Sequence, residues 1–219
     1  MKTVYALINA AVLPIRNIDL PMKTRMRPRK TTVSEPKGHN AKHLGRSIEE
    51  RSPEVLSREE FGHWEVDLVL GKKTKNEPVI ITTVERKTRY CLTKKVWGKG
   101  AALVQKGVLD LIKKQGLEQF KLLTTDNGSE FSSLSLIEII AEDVQVFFTH
   151  AYASWERGTN ERHNRMLREF IPKGVTLRPL SYSYLLEVTD AINHRPRKIM
   201  GYTTSVERLQ EELADLQAA

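Results

Sequence analysis

From His63 to Leu70 the chain alternates. Trp64, Val66, Leu68 and Leu70 fall on one side and His63, Glu65, Asp67 and Val69 on the other, which is the two-residue period of a β-strand. Residues 78–84 and 90–96 predict a second and a third strand, with Arg86-Lys87-Thr88-Arg89 between them suited to a hairpin connection. At Ala101 the period changes. Val104, Val108, Leu111 and Ile112 recur at helical spacing through residue 114, and Gly116 supplies a stop signal. Residues 120–125 predict a fourth strand, 134–142 a helix and 144–149 a fifth strand. Helices over 159–170 and 182–193 follow, and a last one starts at Thr204, where Thr204 and Glu207 have capping-box spacing. Three strands, then helix, strand, helix, strand and helices, predict an α/β fold: a mixed five-stranded sheet flanked by helices.

Upstream of this pattern the signal is thin. Val4, Leu7, Ile8 and Ala11 predict a short helix over 3–11, ended near Pro14. From residue 19 to about 56 there is little periodicity, and Pro21, Pro28, Pro36 and Pro53 interrupt it, which reads as an arm or linker, partly disordered. The expected partition is 1–20, a basic arm over 21–58, an ordered core over 59–212 and a tail over 213–219.

Charge sharpens that arm. The net charge of the 219 residues is +8, and Lys23, Arg25, Arg27, Arg29, Lys30, Lys37, Lys42 and Arg46 crowd one stretch with only Glu35 against them. Such a segment gains association energy by releasing counterions from phosphates, unless it is simply a solvated linker. No apolar run approaches the roughly 20 residues a membrane span needs, and the first residues lack the build of a signal peptide. The single cysteine, Cys91, makes no intrachain disulfide, which fits a reducing, cytoplasmic setting. His39 and His43 have no cysteine pair to complete a zinc site.

Three carboxylates stand out by position. Asp67 lies on the polar side of the first strand, Asp126 directly follows the fourth, and Glu161 falls opposite the apolar stripe of Met166, Leu167 and Phe170 in its helix. Carboxylates at such places suit phosphodiester chemistry with two Mg²⁺ ions, because magnesium takes hard oxygen ligands and needs no His/Cys cage. Each acid taken alone has an ordinary reading too, as a turn residue, a helix cap or a solvated charge.

Four stretches carry a resemblance that separates these readings. They are Gly62-His63-Trp64-Glu65-Val66-Asp67, Thr125-Asp126-Asn127-Gly128-Ser129-Glu130-Phe131, the run from Tyr152 through Trp155-Glu156-Arg157-Gly158-Thr159-Asn160-Glu161 to Asn164, and Asn193-His194-Arg195-Pro196-Arg197-Lys198 followed by Gly201-Tyr202-Thr203. In this order, and with the Asp126–Glu161 interval fitting, the chain resembles the insertion-sequence-thirty family of transposases within the Asp-Asp-Glu transposase and integrase group. The resemblance implies a ribonuclease-H-like fold with Asp67, Asp126 and Glu161 as catalytic, metal-binding triad. It implies two Mg²⁺ ions, replaceable by Mn²⁺, and a reaction in which water cleaves a transposon-end strand and the freed 3′-hydroxyl attacks target DNA. It implies DNA as partner, positioned by Asn127, Arg157, Asn160, Asn164, Arg165, Arg195, Arg197 and Lys198, and a homo-oligomer. Val66 departs from the family's glycine and Ser205 from its proline. The region before Pro21 resembles only the trailing edge of the family's helix-turn-helix region, so an N-terminally truncated transposase with weak, salt-sensitive and poorly sequence-specific DNA binding is expected. The rival expectations are a catalytically inactive DNA-binding or oligomerising fragment that inhibits a full-length transposase, and an RNA–DNA hybrid nuclease of the same fold.

Overall fold

The computed structural model describes residues 4–20, 44–72, 74–150, 156 and 158–218. They divide between two units, 1–39 and 40–219. The first contains α1 (Val4–Asn9), at the place where Val4, Leu7 and Ile8 predict a helix. The basic stretch from Lys23 to Lys42, with His39 and His43, lies outside the described residues.

The second unit is built on a sheet of β1 (Arg46–Ser47), β2 (His63–Leu70), β3 (Val79–Glu85), β4 (Cys91–Val96), β5 (Leu122–Thr125) and β6 (Gln145–Phe148), in the order β1-β6-β5-β2-β3-β4. β2, β3 and β4 form an antiparallel meander, and β5, β6 and β1 extend the sheet in parallel from β2. The five expected strands are present. The sixth, β1, corrects the expectation: two residues cannot display a period, and these two sit in the stretch read as an arm.

That stretch is packed from residue 44 onward. Ser47 and Glu50 close a capping box over a 3₁₀ turn (Ile48–Glu50), and Ser52 caps the next one (Pro53–Leu56). Val55 is buried against Leu122 and Phe147. Arg51 turns inward and donates from Nη1 to Thr124 Oγ1 at 3.0 Å. Residues 44–56 of the stretch that reads as an arm or linker thus form a wall of the fold.

The alternation of β2 sends its two sides into different layers. Trp64 and Val66 pack with Val104, Val108 and Ile112 of α2 (Ala101–Gln115) and with Ile137 of α3 (Ile137–Ile140). Trp64 stacks on Phe120 at 4.5 Å between ring centroids, and its indole nitrogen donates to Gln119 O at 2.7 Å. On the opposite face Val69 and Ile80 pack under Met166 and Leu167 of α4 (Gly158–Phe170) and Leu185, Val188 and Ile192 of α5 (Tyr182–Asn193). A last helix, α6 (Ser205–Ala218), follows. Helices thus cover both faces of the sheet.

The edge strand β4 is closed by a side chain. Cys91 N–H donates to Asn193 Oδ1 and Asn193 Nδ2 donates to Cys91 O, each at 2.9 Å, so the carboxamide imitates a strand partner. Burial pushes the Cys91 thiol up to about 12, leaving it an inert core residue. Asn193→Leu is expected to lower the unfolding free energy by about 2 kcal/mol, since two buried backbone groups lose their partners. Urea denaturation of the two proteins measures it.

Candidate active site

β2 and β5 run parallel with Glu65 opposite Thr124. Carried two residues further, this register sets Asp126, the first residue past β5, beside Asp67 on the neighbouring strand, and neighbouring strands lie about 4.8 Å apart. Asp126 Oδ1 accepts the Gly128 N–H at 3.0 Å, an Asx turn that ends the strand. A Cβ at residue 128 would stand 2.8 Å from that oxygen, so only glycine lets this turn close without displacement. Asp67 Oδ1 accepts the Leu68 N–H, and its Oδ2 accepts Asn164 Nδ2, both at 2.8 Å. Both aspartates are half-buried.

Asn164 belongs to α4, and the start of that helix is fixed from below by Glu65. This side chain is fully buried. Its Oε2 accepts the Asn160 N–H at 2.8 Å and its Oε1 accepts Arg86 Nη1 at 3.0 Å. A carboxylate at a helix N-terminus satisfies an orphan N–H and meets the positive end of the helix dipole. Arg89 Nη1 adds a bond to Thr159 Oγ1 at 2.9 Å. Thr82 Oγ1 lies 3.2 Å from Asn160 Oδ1 and 3.0 Å from Asn164 Oδ1 but carries one proton, while the buried Asn160 Nδ2 has no partner. Reversing the Asn160 carboxamide resolves this: Nδ2 then donates to Thr82, which donates to Asn164.

Glu161 follows Asn160 and is exposed. It lies three residues before Asn164, one turn away along the same side of α4. It lines a cleft of about 500 Å³ with Arg162, Arg165, Glu169, Arg195 and Lys198. The register of β2 and β5, carried past the last paired residues, thus aims Asp126 toward Asp67, and Asn164 ties the Glu161 helix to Asp67. Among the described residues, however, no three His, Cys, Asp or Glu side chains are grouped so as to hold a metal ion. Residues 151–155 and 157, which lead into α4, lie outside the described residues.

Of the residues expected to position DNA, Arg165 and Lys198 are exposed. Arg195 is partly exposed and donates from Nη2 to Glu169 at 2.9 Å. Asn127 Oδ1 accepts the Leu44 N–H at 3.2 Å. Arg157 lies outside the described residues. Two expectations need correcting. Asn160 is fully buried and holds α4 to β2 and β3, so it does not face DNA. Arg197 is also interior: Nη1 meets His163 Nε2 at 2.7 Å and Nη2 donates to Ile192 O at 3.1 Å. The expected apolar stripe of α4 shifts as well. Phe170 is 36% exposed, and the buried side continues instead through His163, Asn160 and Thr159.

His163 explains the polar half of that stripe. Its Nδ1 lies 2.8 Å from Thr159 O, and its Nε2 lies 2.9 Å from Arg89 O and 2.7 Å from Arg197 Nη1, which can only donate; with Nε2 accepting from Arg197, the proton of the neutral ring sits on Nδ1. Burial, then Arg197, hold its pKa down at about 3. The unfolded chain takes up a proton near the ordinary value of 6.5 that the folded chain refuses. The contribution of this residue is thus present above pH 6.5 and lost as pH falls toward about 3. The melting-temperature advantage of the wild type over His163→Gln is expected to shrink steadily between pH 7 and pH 4, read by thermal denaturation at each pH.

Residues 57–159 match the integrase core domain family. The chain is 50% identical over 204 residues to the probable transposase for insertion-like sequence element IS1161 of Streptococcus salivarius, covering 93% of this chain and 56% of that protein. It is 34% identical over 170 residues to the transposase InsI for insertion sequence element IS30A of Escherichia coli K12, covering 78% of this chain and 43% of that one. The chain thus spans about half the length of these relatives. The crystal structure of the catalytic core domain of BIV integrase superposes with a TM-score of 0.53 at 19% identity, over 72% of this chain and 99% of that one. With its antiparallel meander extended by parallel strands, the fold is ribonuclease-H-like.

Proposed function

The chain belongs to the IS30 family of insertion-sequence transposases, and from that premise we propose that its second unit is a metal-dependent DNA cleavage and strand-transfer core. The observation that carries this reading is the placement of Asp67 and Asp126 at adjacent points of parallel strands, with Asn164 of the Glu161 helix bonded to Asp67. The donor set is carboxylate oxygen, which fits Mg²⁺, with Mn²⁺ as substitute. Asp67 and Asp126 would hold the ions, and Glu161 would complete the set. When bound, the two ions supply an activated nucleophile and a stabilised leaving oxygen. The chain's own part is positional. Asn164 orients Asp67, the Asx turn at Gly128 orients Asp126, and Arg165, Arg195 and Lys198 offer guanidinium and ammonium groups to the phosphates of a strand crossing the cleft beside Glu161. Transposon ends and target DNA are the substrates in this reading, and a homo-oligomer is the working form.

One observation favours a second reading. The three acids do not meet among the described residues, as a DNA-binding or oligomerising fragment without activity would allow. A duplex carrying an element end separates the two. The catalytic reading expects cleavage or joining in Mg²⁺ or Mn²⁺ that EDTA stops. Binding without any cleavage in either metal would favour the inactive fragment.

A further inference from the structure

Three arginines, Arg51, Arg86 and Arg89, gather around Glu65 on the α4 side of the sheet, and Arg58 lies beside Arg86 and Arg89. Arg86 is almost fully buried, gives Nη1 to Glu65 and has an Nε without a partner. Arg51, also buried, gives Nη1 to Thr124, and Arg89 gives Nη1 to Thr159. Arg58 is half-buried with a left-handed backbone, φ 61°. It makes no hydrogen bond or ion pair among the described residues. Burial, followed by the neighbouring guanidinium groups, brings Arg51 and Arg89 down to about 10.

Arg51, Arg58 and Arg86 line a cleft of about 510 Å³ together with His150, Glu49 and Glu156. The two acids of that cleft are engaged by the histidine. Glu156 accepts from His150 N–H at 3.0 Å and lies 2.8 Å from its Nδ1, and Glu49 lies 3.2 Å from its Nε2. Among the described residues Glu65 is the carboxylate bonded to these arginines, through Arg86, while Glu156 also offsets the charge of Arg51 through space. Packing like charges together and taking them out of water is costly unless an anion completes the group. Arg86 links the cleft to the candidate site: it bonds Glu65, which is two residues from Asp67 on the same side of β2, about 6.6 Å along the strand.

We propose that this cleft is a phosphate site that grips the backbone of the DNA strand close to the scissile position, with Arg58 as its principal contact. The inference rests on the DNA-cleaving reading above and adds to it a subsite made by the 48–58 segment. A phosphodiester fits the donors, since guanidinium groups bind its oxygens in pairs, and among the described residues Arg58 is the arginine of the cleft that makes no hydrogen bond or ion pair.

The test is a salt series on the full chain with a labelled duplex. Arg58→Gln is expected to bind about tenfold more weakly and to reduce the slope of log K against log [KCl] by about 0.9, the value for one lost phosphate contact on duplex DNA. Arg58→Lys restores the slope but not the full affinity. Lys106→Gln, an exposed cation on α2, leaves both unchanged. A scan of single neutral methylphosphonates finds one position that weakens the wild type and leaves Arg58→Gln unaffected. Because Arg58 makes no hydrogen bond or ion pair among the described residues and its charge faces Arg86 and Arg89, the melting temperature of the variant does not fall below the wild-type value. Wild-type affinity and slope in Arg58→Gln, or an equal loss in Lys106→Gln, would overturn the site. Asp126→Asn, run alongside for cleavage, keeps the two readings apart. If it abolishes cleavage while Arg58→Gln binds normally, the phosphate site falls and the catalytic reading stands. If Arg58→Gln shows the reduced slope but the wild type never cleaves, the phosphate site stands and the catalytic reading falls.

Discussion

Asp126→Asn is expected to reduce metal-dependent strand cleavage at least about a thousandfold, roughly 4 kcal/mol on the barrier, while the chain folds as before. The two halves of this expectation have separate causes. Asparagine keeps an Oδ1 able to accept the Gly128 N–H, so the turn that ends β5 survives. What disappears is a negative charge beside Asp67, at the point where a divalent cation would need it most. Substituting Mn²⁺ for Mg²⁺ recovers only part of the loss, since the missing charge is not supplied by the metal. Single-turnover cleavage of an end-labelled duplex measures the effect, with circular dichroism and a melting curve as the folding control. A variant that cleaves within tenfold of the wild type, in either metal, removes Asp126 from the chemistry and with it the pairing on which the catalytic reading stands.

How far these features could be read from the sequence depends on the physics behind each. Alternation over β2 and the helical period of α2 report burial of apolar side chains, and both elements stand where the pattern puts them. The pairing of Asp67 with Asp126 needs more, because register is a property of two strands at once. It was reachable through resemblance, not through either strand alone. β1 escaped notice because two residues have no period. Polar residues misled in a consistent direction. Glu65, Asn160, His163 and Arg197 all fall on what hydrophobicity marks as a wet face, yet all four are buried. Composition cannot tell a solvated charge from one that is paired inside. The only sign was that Glu65 shares a side of β2 with Asp67, and nothing local says that its partners are Arg86 and the Asn160 N–H. The same blindness hid the arginine cleft. Arg51 and Arg58 lie in the stretch that reads as a linker, next to a run of basic residues that draws attention away from them.

Glu65→Leu is expected to cost about 3–5 kcal/mol of unfolding free energy, the range for removing one member of a buried ion pair. Arg86 would be left buried with no carboxylate bonded to it, and the Asn160 N–H would lose its acceptor at the start of α4. These losses differ in what can repair them. In Glu65→Leu combined with Arg86→Met, the stranded charge is gone and apolar contact replaces it, so much of the stability returns. The anchor of the helix start does not return. Glu161 directly follows Asn160, and Asn164, one turn on, holds Asp67, so a loosened start to α4 disturbs both. The double variant is therefore expected to melt near the wild type but to cleave at least about a hundredfold more slowly at saturating DNA, with DNA affinity changed far less than turnover. Faster amide exchange at Asn160 would accompany it. Recovery of both stability and cleavage in the double variant would reduce Glu65 to one half of an ordinary buried pair. Loss of stability in Glu65→Leu with full turnover at low temperature would separate the helix anchor from the chemistry altogether.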